Sequence, residues 1–186
     1  MELLVDTETT GLTHLSFANE RNYRKWPRLV QIAWGILEEN ELTKIHSAII
    51  KPAGFEIPAA AEFVHGIGHA SANREGCDLE TELRLFDEQV AKVERVVAHN
   101  IRFDLGVLDS EAIRLGFRMR SPKRVSCTCL SGQAYLKRVS GKEEPLPKLG
   151  SLYRGLFQKE AGNLHDAESD MRICSRVYRR LRELGF

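Results

Sequence analysis

Apolar positions cluster at the start of the chain, where Leu3, Leu4 and Val5 run together before polar residues take over at Asp6. A short run of this kind, followed by the turn residues Thr9, Thr10 and Gly11, predicts a buried strand. The stretch RLVQIAWGILEENELTKIHSAIIKP carries β-branched and aromatic residues on both sides of a polar turn, Glu38 to Glu41, which predicts a hairpin. Pro58 then opens a short Ala-rich helix ending near His65 and Gly66. The spacing of Leu79, Leu83, Phe86, Val90 and Val93 marks an amphipathic helix from Leu79 to Glu94. A brief apolar strand in RVVAHN meets the next helix at Asn100. Ile101, Leu105, Leu108, Ala112 and Leu115 line that helix until Gly116 closes it. Further along, the pattern predicts a strand or a helix start around Val125 to Leu130, a mobile loop from Lys137 to Pro147, and a last helix from about Asp166 to Leu184.

Three leading strands followed by alternating helices and short strands predict an α/β domain, a mixed sheet covered by helices. The 186 residues suit one domain, 1–186, with a single substantial core. A chain 42% hydrophobic and 28% charged reads as soluble and globular, and its apolar runs are too short to cross a bilayer. Acids near the start, rather than a basic segment ahead of a long apolar one, argue against a secretory signal. A cytoplasmic location and no membrane partner are therefore expected. The formal charge of +1 excludes a polycation, so affinity for nucleic acid has to come from local patches. Basic stretches lie at Arg114 to Arg124, Lys137 to Lys148 and Arg172 to Arg182, where solvated helix faces are the ordinary explanation. Cys77, Cys127, Cys129 and Cys174 read as reduced thiols, because Cys127-x-Cys129 lacks zinc-site spacing.

Ligands of such sheets gather at the carboxyl ends of strands. Asp6 and Glu8 stand at one such end, and Asn100 and Asp104 just past another. Residues two apart on a strand share a face, so Asp6 and Glu8 lie side by side. Neighbouring carboxylates repel, and the pair is stable mainly with a cation or a shared proton between them. The plainer reading is an exposed strand end followed by a polar turn. Near the C-terminus His165 precedes the last helix, Asp166 is a candidate N-cap, and Asp170 falls within its first turns. A structural histidine would need only a backbone carbonyl; an acid five residues on sets His165 apart.

In order, Asp6-x-Glu8, Asp104 and His165-x4-Asp170 form a known pattern. On these motifs the chain resembles the DnaQ-like 3′-to-5′ exonucleases of the DEDDh group. The resemblance runs from VDTETTGL through HGI at His65 to Ile67 and AHNIRFD to HDAESD. It implies a ribonuclease H-like mixed β-sheet flanked by α-helices, and two divalent metal ions, Mg²⁺ or Mn²⁺, about 3.5–4 Å apart. Carboxylates suit such hard ions. By the resemblance Asp6, Glu8 and Asp170 hold the first ion and Asp6 with Asp104 places the second. His165 accepts the proton of the attacking water, a task fitting an imidazole of reference pKa about 6.5.

The same resemblance makes Thr9, Thr10 and Gly11 contacts of the terminal nucleotide, with Leu12 wedged beside its base. Phe103 is either a stacking platform for a neighbouring base or a core residue. His65, His99 and Asn100 correspond to positions near the terminal sugar or phosphate; loop and helix capping is their plainer reading. Three departures stand out. Thr13 to Pro27 is long and interleaves Phe17, Tyr23 and Trp26 with Arg21, Arg24 and Lys25, which suits either contact with nucleic acid or a pinned surface excursion. Cys127 stands where relatives commonly carry Asp. His65 and His69 have the spacing of helical metal ligands, but Gly66 and Gly68 argue for a loop. The expected activity is metal-dependent release of nucleoside 5′-monophosphates from 3′ ends of single-stranded or frayed DNA. VDTETTG is nearest to the proofreading branch, resembling the DNA polymerase III epsilon subunit, which makes a DNA polymerase a candidate partner. An RNA-processing exoribonuclease of the same fold would share every ligand. A non-catalytic binding module conflicts with the intact set of acids and His165.

Overall fold

The computed structural model describes residues 1–15, 17–162 and 164–186; Ser16, in the long stretch after the first motif, and Asn163, just ahead of the last, lie outside the described residues. β1 (Glu2–Thr9), β2 (Leu29–Glu38) and β3 (Glu41–Ile49) form an antiparallel unit. β4 (Arg95–Ala98) and β5 (Val125–Cys127) extend it in parallel beyond β1, giving the order β3-β2-β1-β4-β5. The hairpin expected around Glu38 to Glu41 closes with Glu38 opposite Glu41. Glu39 (φ 47°) and Asn40 (φ 70°) are both left-handed there, as a tight two-residue turn between twisted strands demands.

β1 is the central strand because both of its faces are apolar. Leu3 and Val5 enter one core with α3 (Leu79–Lys92) and α4 (Ile101–Arg114). Leu4 enters the other, with α6 (Leu149–Phe157) and α7 (Ala167–Glu183). α3 forms where helical periodicity predicts it, and Asp78 caps it by accepting the Thr81 N–H at 2.9 Å. Its Leu83 and Phe86 are completely buried, each worth about 1.5–3 kcal/mol in apolar burial. A smaller cluster of Val30, Ile57, Ala61, Ile67 and Ala72 lies under α1 (Ala59–His65) and α2 (His69–Glu75).

Two expectations are corrected, one is met, and one helix is new. β1 continues through Thr9, so the turn starts one residue later than the Thr-Thr-Gly signal implies. Gly66 to Gly68 form the expected loop: Gly66, left-handed at φ 75°, ends α1, and Gly68 precedes a second helix that starts at His69. His65 and His69 thus stand in different helices and do not form a helical ligand pair. α5 (Thr128–Ser140) extends into the predicted loop until Gly141, at φ 71°, stops it. α6 was not legible as a helix because its run is short and carries two glycines, yet Leu149, Leu152 and Tyr153 bury its inner face. All four cysteines are free, and no helix of the described residues is long and apolar enough to cross a membrane.

Candidate active site

The period-two alternation of β1 that sends Leu4 toward α7 sends Asp6 and Glu8 the same way. In register, Asp6 stands opposite Ala33 and Glu8 opposite Gln31 of β2. The Asp6 carboxyl is pushed well above the usual carboxylate range, first by burial and then by the charges of Asp104, Asp170, Glu8 and Asp166. Glu8 rises to about 7, through burial and then Asp170 and Asp166. Two elements therefore aim further acids at the end of β1.

The first is α4. Asn100, left-handed at φ 73°, makes the sharp turn from β4 into this helix, and Asp104 falls in its first turn at 3% exposure. Burial raises Asp104 to about 7, while the Thr7 hydroxyl, donating to Oδ1 at 2.9 Å, works against that rise. Oδ2 is buried with no partner among the described residues. The second element is α7. Asp166 caps it, accepting the Ser169 N–H at 3.0 Å, and the Gln31 amide donates to the other Asp166 oxygen at 3.1 Å. The Gln31 carbonyl accepts the Ala167 N–H at 3.1 Å. One β2 side chain thus binds the start of α7 beside Glu8. Burial opposes ionisation of Asp166, but these bonds hold its carboxyl below the usual range.

Asp170 lies one turn further on, raised by burial although the His165 N–H donates to its Oδ2 at 3.2 Å. Its Oδ1 is buried and without a partner among the described residues. His165 is left-handed (φ 69°), a costly conformation for a non-glycine residue, and its side chain is exposed. Ligand atoms of Glu8, His165 and Asp170 lie within 4.8 Å of one another. Buried, mutually repelling carboxyls with orphaned oxygens fit a divalent cation: it would supply the missing partners and remove the repulsion. The structure therefore brings together all five residues of the sequence pattern.

The expected substrate contacts divide. The Thr9 hydroxyl donates to the Gly11 carbonyl at 2.6 Å, and Thr10 exchanges bonds with Arg28 through both its N–H and its hydroxyl. Their polar groups are spent on shaping the turn, which leaves Gly11, open on its Cβ side, and Leu12, 89% exposed, facing outward. His65 is buried and accepts the Ile67 N–H at Nδ1. Its pKa is lowered by burial, and its Nε2 is buried with no partner among the described residues. His99 has both ring nitrogens engaged, at 2.9 Å to Thr128 Oγ1 and 2.9 Å to the Pro147 carbonyl. Through these bonds it braces β4 against the segment before α6. Asn100 is exposed and serves by its backbone, with no side-chain cap bond. Phe103 is half-buried against the core and tilts toward Trp26 with ring centroids 6.4 Å apart, favouring the core reading.

Three contributors went unread in the sequence: Thr7, Gln31 and the Cys127 environment. A polar residue inside an apolar strand run was the available signal for Gln31. Cys127 ends β5 at the N-cap of α5, and its thiol is held down to about 5, first by the Cys129 thiol and also by the N–H groups of Leu130, Ile101 and Asn100.

The sequence model of the RNase T family, described as an exonuclease family, matches residues 3–178. The 3′-5′ exonuclease DinG of Bacillus subtilis (strain 168) is 30% identical over 117 residues, 63% of this chain and 11% of DinG. Among solved structures, E. coli exonuclease I in complex with a dT13 oligonucleotide aligns with TM-score 0.74 at 19% identity, over 99% of this chain and 42% of that one. Exonuclease X in complex with 5′ overhanging duplex DNA aligns with TM-score 0.62 at 20% identity, over 100% of this chain and 94% of its own. These structural likenesses show the ribonuclease H-like exonuclease fold. The chain spans well under half the length of DinG and of exonuclease I.

Proposed function

Since the chain belongs to the RNase T exonuclease family, we propose that it is a metal-dependent 3′-to-5′ exonuclease acting on single-stranded or frayed DNA and releasing nucleoside 5′-monophosphates. The observation that carries this reading is the meeting of Asp6, Glu8, Asp104 and Asp170 from three separate elements, with His165 beside them and two buried carboxylate oxygens unsatisfied. Asp6, Glu8 and Asp170 would hold one divalent ion, and Asp6 with Asp104 a second; oxygen donors favour Mg²⁺ or Mn²⁺. When bound, the ions supply positive charge to the attacking and leaving oxygens of an in-line displacement.

The remaining work belongs to the chain. His165 stands exposed at the lip of the site, where its imidazole takes the proton from the incoming water. Its backbone N–H fixes Asp170 at the same time, so one residue positions a ligand and moves a proton. Gly11 and Leu12 face the strand end, with Leu12 set against the terminal base. Two structural neighbours are named in complexes with DNA, which supports DNA over RNA as the substrate. No polymerase partner is needed for this chemistry, so the test uses the chain alone.

The deciding experiment is digestion of matched 5′-labelled DNA and RNA oligonucleotides with Mg²⁺, Mn²⁺ or a chelator. A metal-dependent ladder shortening from the 3′ end, faster on DNA, is the expected result. A faster RNA ladder would reassign the substrate, and intact oligonucleotides of both kinds would overturn the reading.

A further inference from the structure

From Phe17 to Arg28, the excursion ahead of β2 is held as an arm by a series of hydrogen bonds. Its exit is clasped to the strand end: the Thr10 N–H donates to the Arg28 carbonyl at 3.0 Å, and the Arg28 N–H to the Thr10 hydroxyl at 2.9 Å. Asn19 and Asn22 close an internal turn, with Asn22 Oδ1 accepting the Asn19 N–H at 2.8 Å and its Nδ2 donating to the Phe17 carbonyl at 2.9 Å. One 3₁₀ turn (Tyr23–Lys25) follows, and then Trp26 enters the core at 3% exposure. The Trp26 ring lies against Gly106 and tilts toward Phe103, and these residues flank Asp104 on α4. Arg114 of the same helix donates to the Tyr23 and Trp26 carbonyls at 2.7 and 2.8 Å.

Several surface cations elsewhere sit beside acids, while others, such as Lys51, Lys92, Arg102 and Arg124, share with this arm the lack of a carboxylate partner among the described residues. Arg84, Arg120, Lys123, Arg154 and Arg172 each pair with an acid. Arg21, Arg24 and Lys25 are exposed, and among the described residues none has a carboxylate partner. Glu20, the arm's own acid, is turned away to Arg118. Phe17 is 67% exposed beside them. Three like charges held close on a fixed backbone repel one another, and a polyanion relieves that repulsion. An exposed aromatic ring among cations is the chemistry that tracks phosphates and stacks bases of a single strand.

We propose that the arm from Phe17 to Arg28 is a second nucleic-acid contact surface, which grips the single strand upstream of the scissile bond through the Arg21, Arg24 and Lys25 cations and the Phe17 ring. This rests on the exonuclease reading and deepens it: the site takes a strand several nucleotides long and works poorly on one nucleotide.

The test compares the full chain with the triple variant Arg21→Gln/Arg24→Gln/Lys25→Gln on two substrates. One is the p-nitrophenyl ester of thymidine 5′-monophosphate, which offers a single nucleotide; the other is an oligothymidylate of roughly fifteen nucleotides. The ratio of kcat/KM on the oligomer to that on the ester should fall about tenfold or more in the variant. The slope of log kcat/KM on the oligomer against log salt should flatten by roughly 2, from three lost phosphate contacts at about 0.7 each. Phe17→Ala should lower the same ratio about fivefold while leaving the salt slope in place. An unchanged ratio in both variants, with the ester and oligomer still hydrolysed, overturns this inference and leaves the exonuclease reading standing. A wild-type chain inert toward both substrates overturns the exonuclease reading and the inference with it.

Discussion

His165 is asked to move a proton while its own N–H holds Asp170, and the two tasks use different atoms. Replacing His165 by Ala keeps the backbone bond and removes the imidazole. Divalent-ion binding, followed by calorimetry, should therefore persist while kcat falls about 10²- to 10⁴-fold. Asp6→Ala should instead lose ion binding and turnover together, because both proposed ligand sets include Asp6. The raised carboxyls also tie stability to pH. Folded Glu8 and Asp104 titrate near about 7, against about 4 in an unfolded chain, so the metal-free fold holds these protons more tightly. Their stabilising share is whole below about pH 4 and is lost as pH rises through about 7. With chelator present, Tm should drop between about pH 5.5 and about pH 8, and Mg²⁺ should restore it at the higher pH. A Tm that rises over that interval would contradict the assigned protonation.

Among the elements, α4 carries the most. It presents Asp104 at its start, seats Trp26 in the notch of Gly106, and anchors the arm by a buried ionic cluster. Glu111, fully buried, accepts from the Arg28 guanidinium at 2.8 Å and the Leu29 N–H at 2.9 Å, with Arg114 paired at 3.4 Å. Removing the acid leaves two arginines short of their counter-charge and a buried N–H without an acceptor. Glu111→Ala should cost about 3–5 kcal/mol in urea unfolding, the usual penalty for breaking a buried pair. Gly106→Ala would drive a Cβ into the rigid Trp26 ring and should cost about 1–3 kcal/mol by overpacking. Either change acts on Asp104 through the helix that carries it, so kcat should fall along with stability.

For the molecule as a whole, a formal charge of +1 leaves little long-range attraction for a polyanion. The stretches that look basic in sequence are partly neutralised in three dimensions, as Arg118, Lys123, Lys137 and Arg180 find acids from elsewhere or nearby. Affinity for single-stranded DNA should therefore depend on a few local contacts, and log Kd should change with log salt by roughly 2 to 4. A measured slope near 10, as a broadly cationic groove would give, would contradict this expectation.

The sequence by itself determined the hydrophobic alternation, the hairpin turn, the long helices and the ordered set of acids with His165, because each is written in nearest neighbours or in fixed spacing. It placed Asp6 beside Glu8 through the pleat of one strand, and Asp104 at a helix start through the Asn100 turn. Only the tertiary structure decided which partners these residues meet. Thr7 reaches Asp104, Gln31 ties β2 to the start of α7, and both His99 nitrogens are spent inside the chain. It also decided which cations of the basic stretches meet acids: Arg118, Lys123, Lys137 and Arg180 do, and the three on the arm do not among the described residues. Such outcomes depend on contacts between residues far apart in the chain, and on burial, which sets the cost of every charge and can be assigned only once the layers have packed.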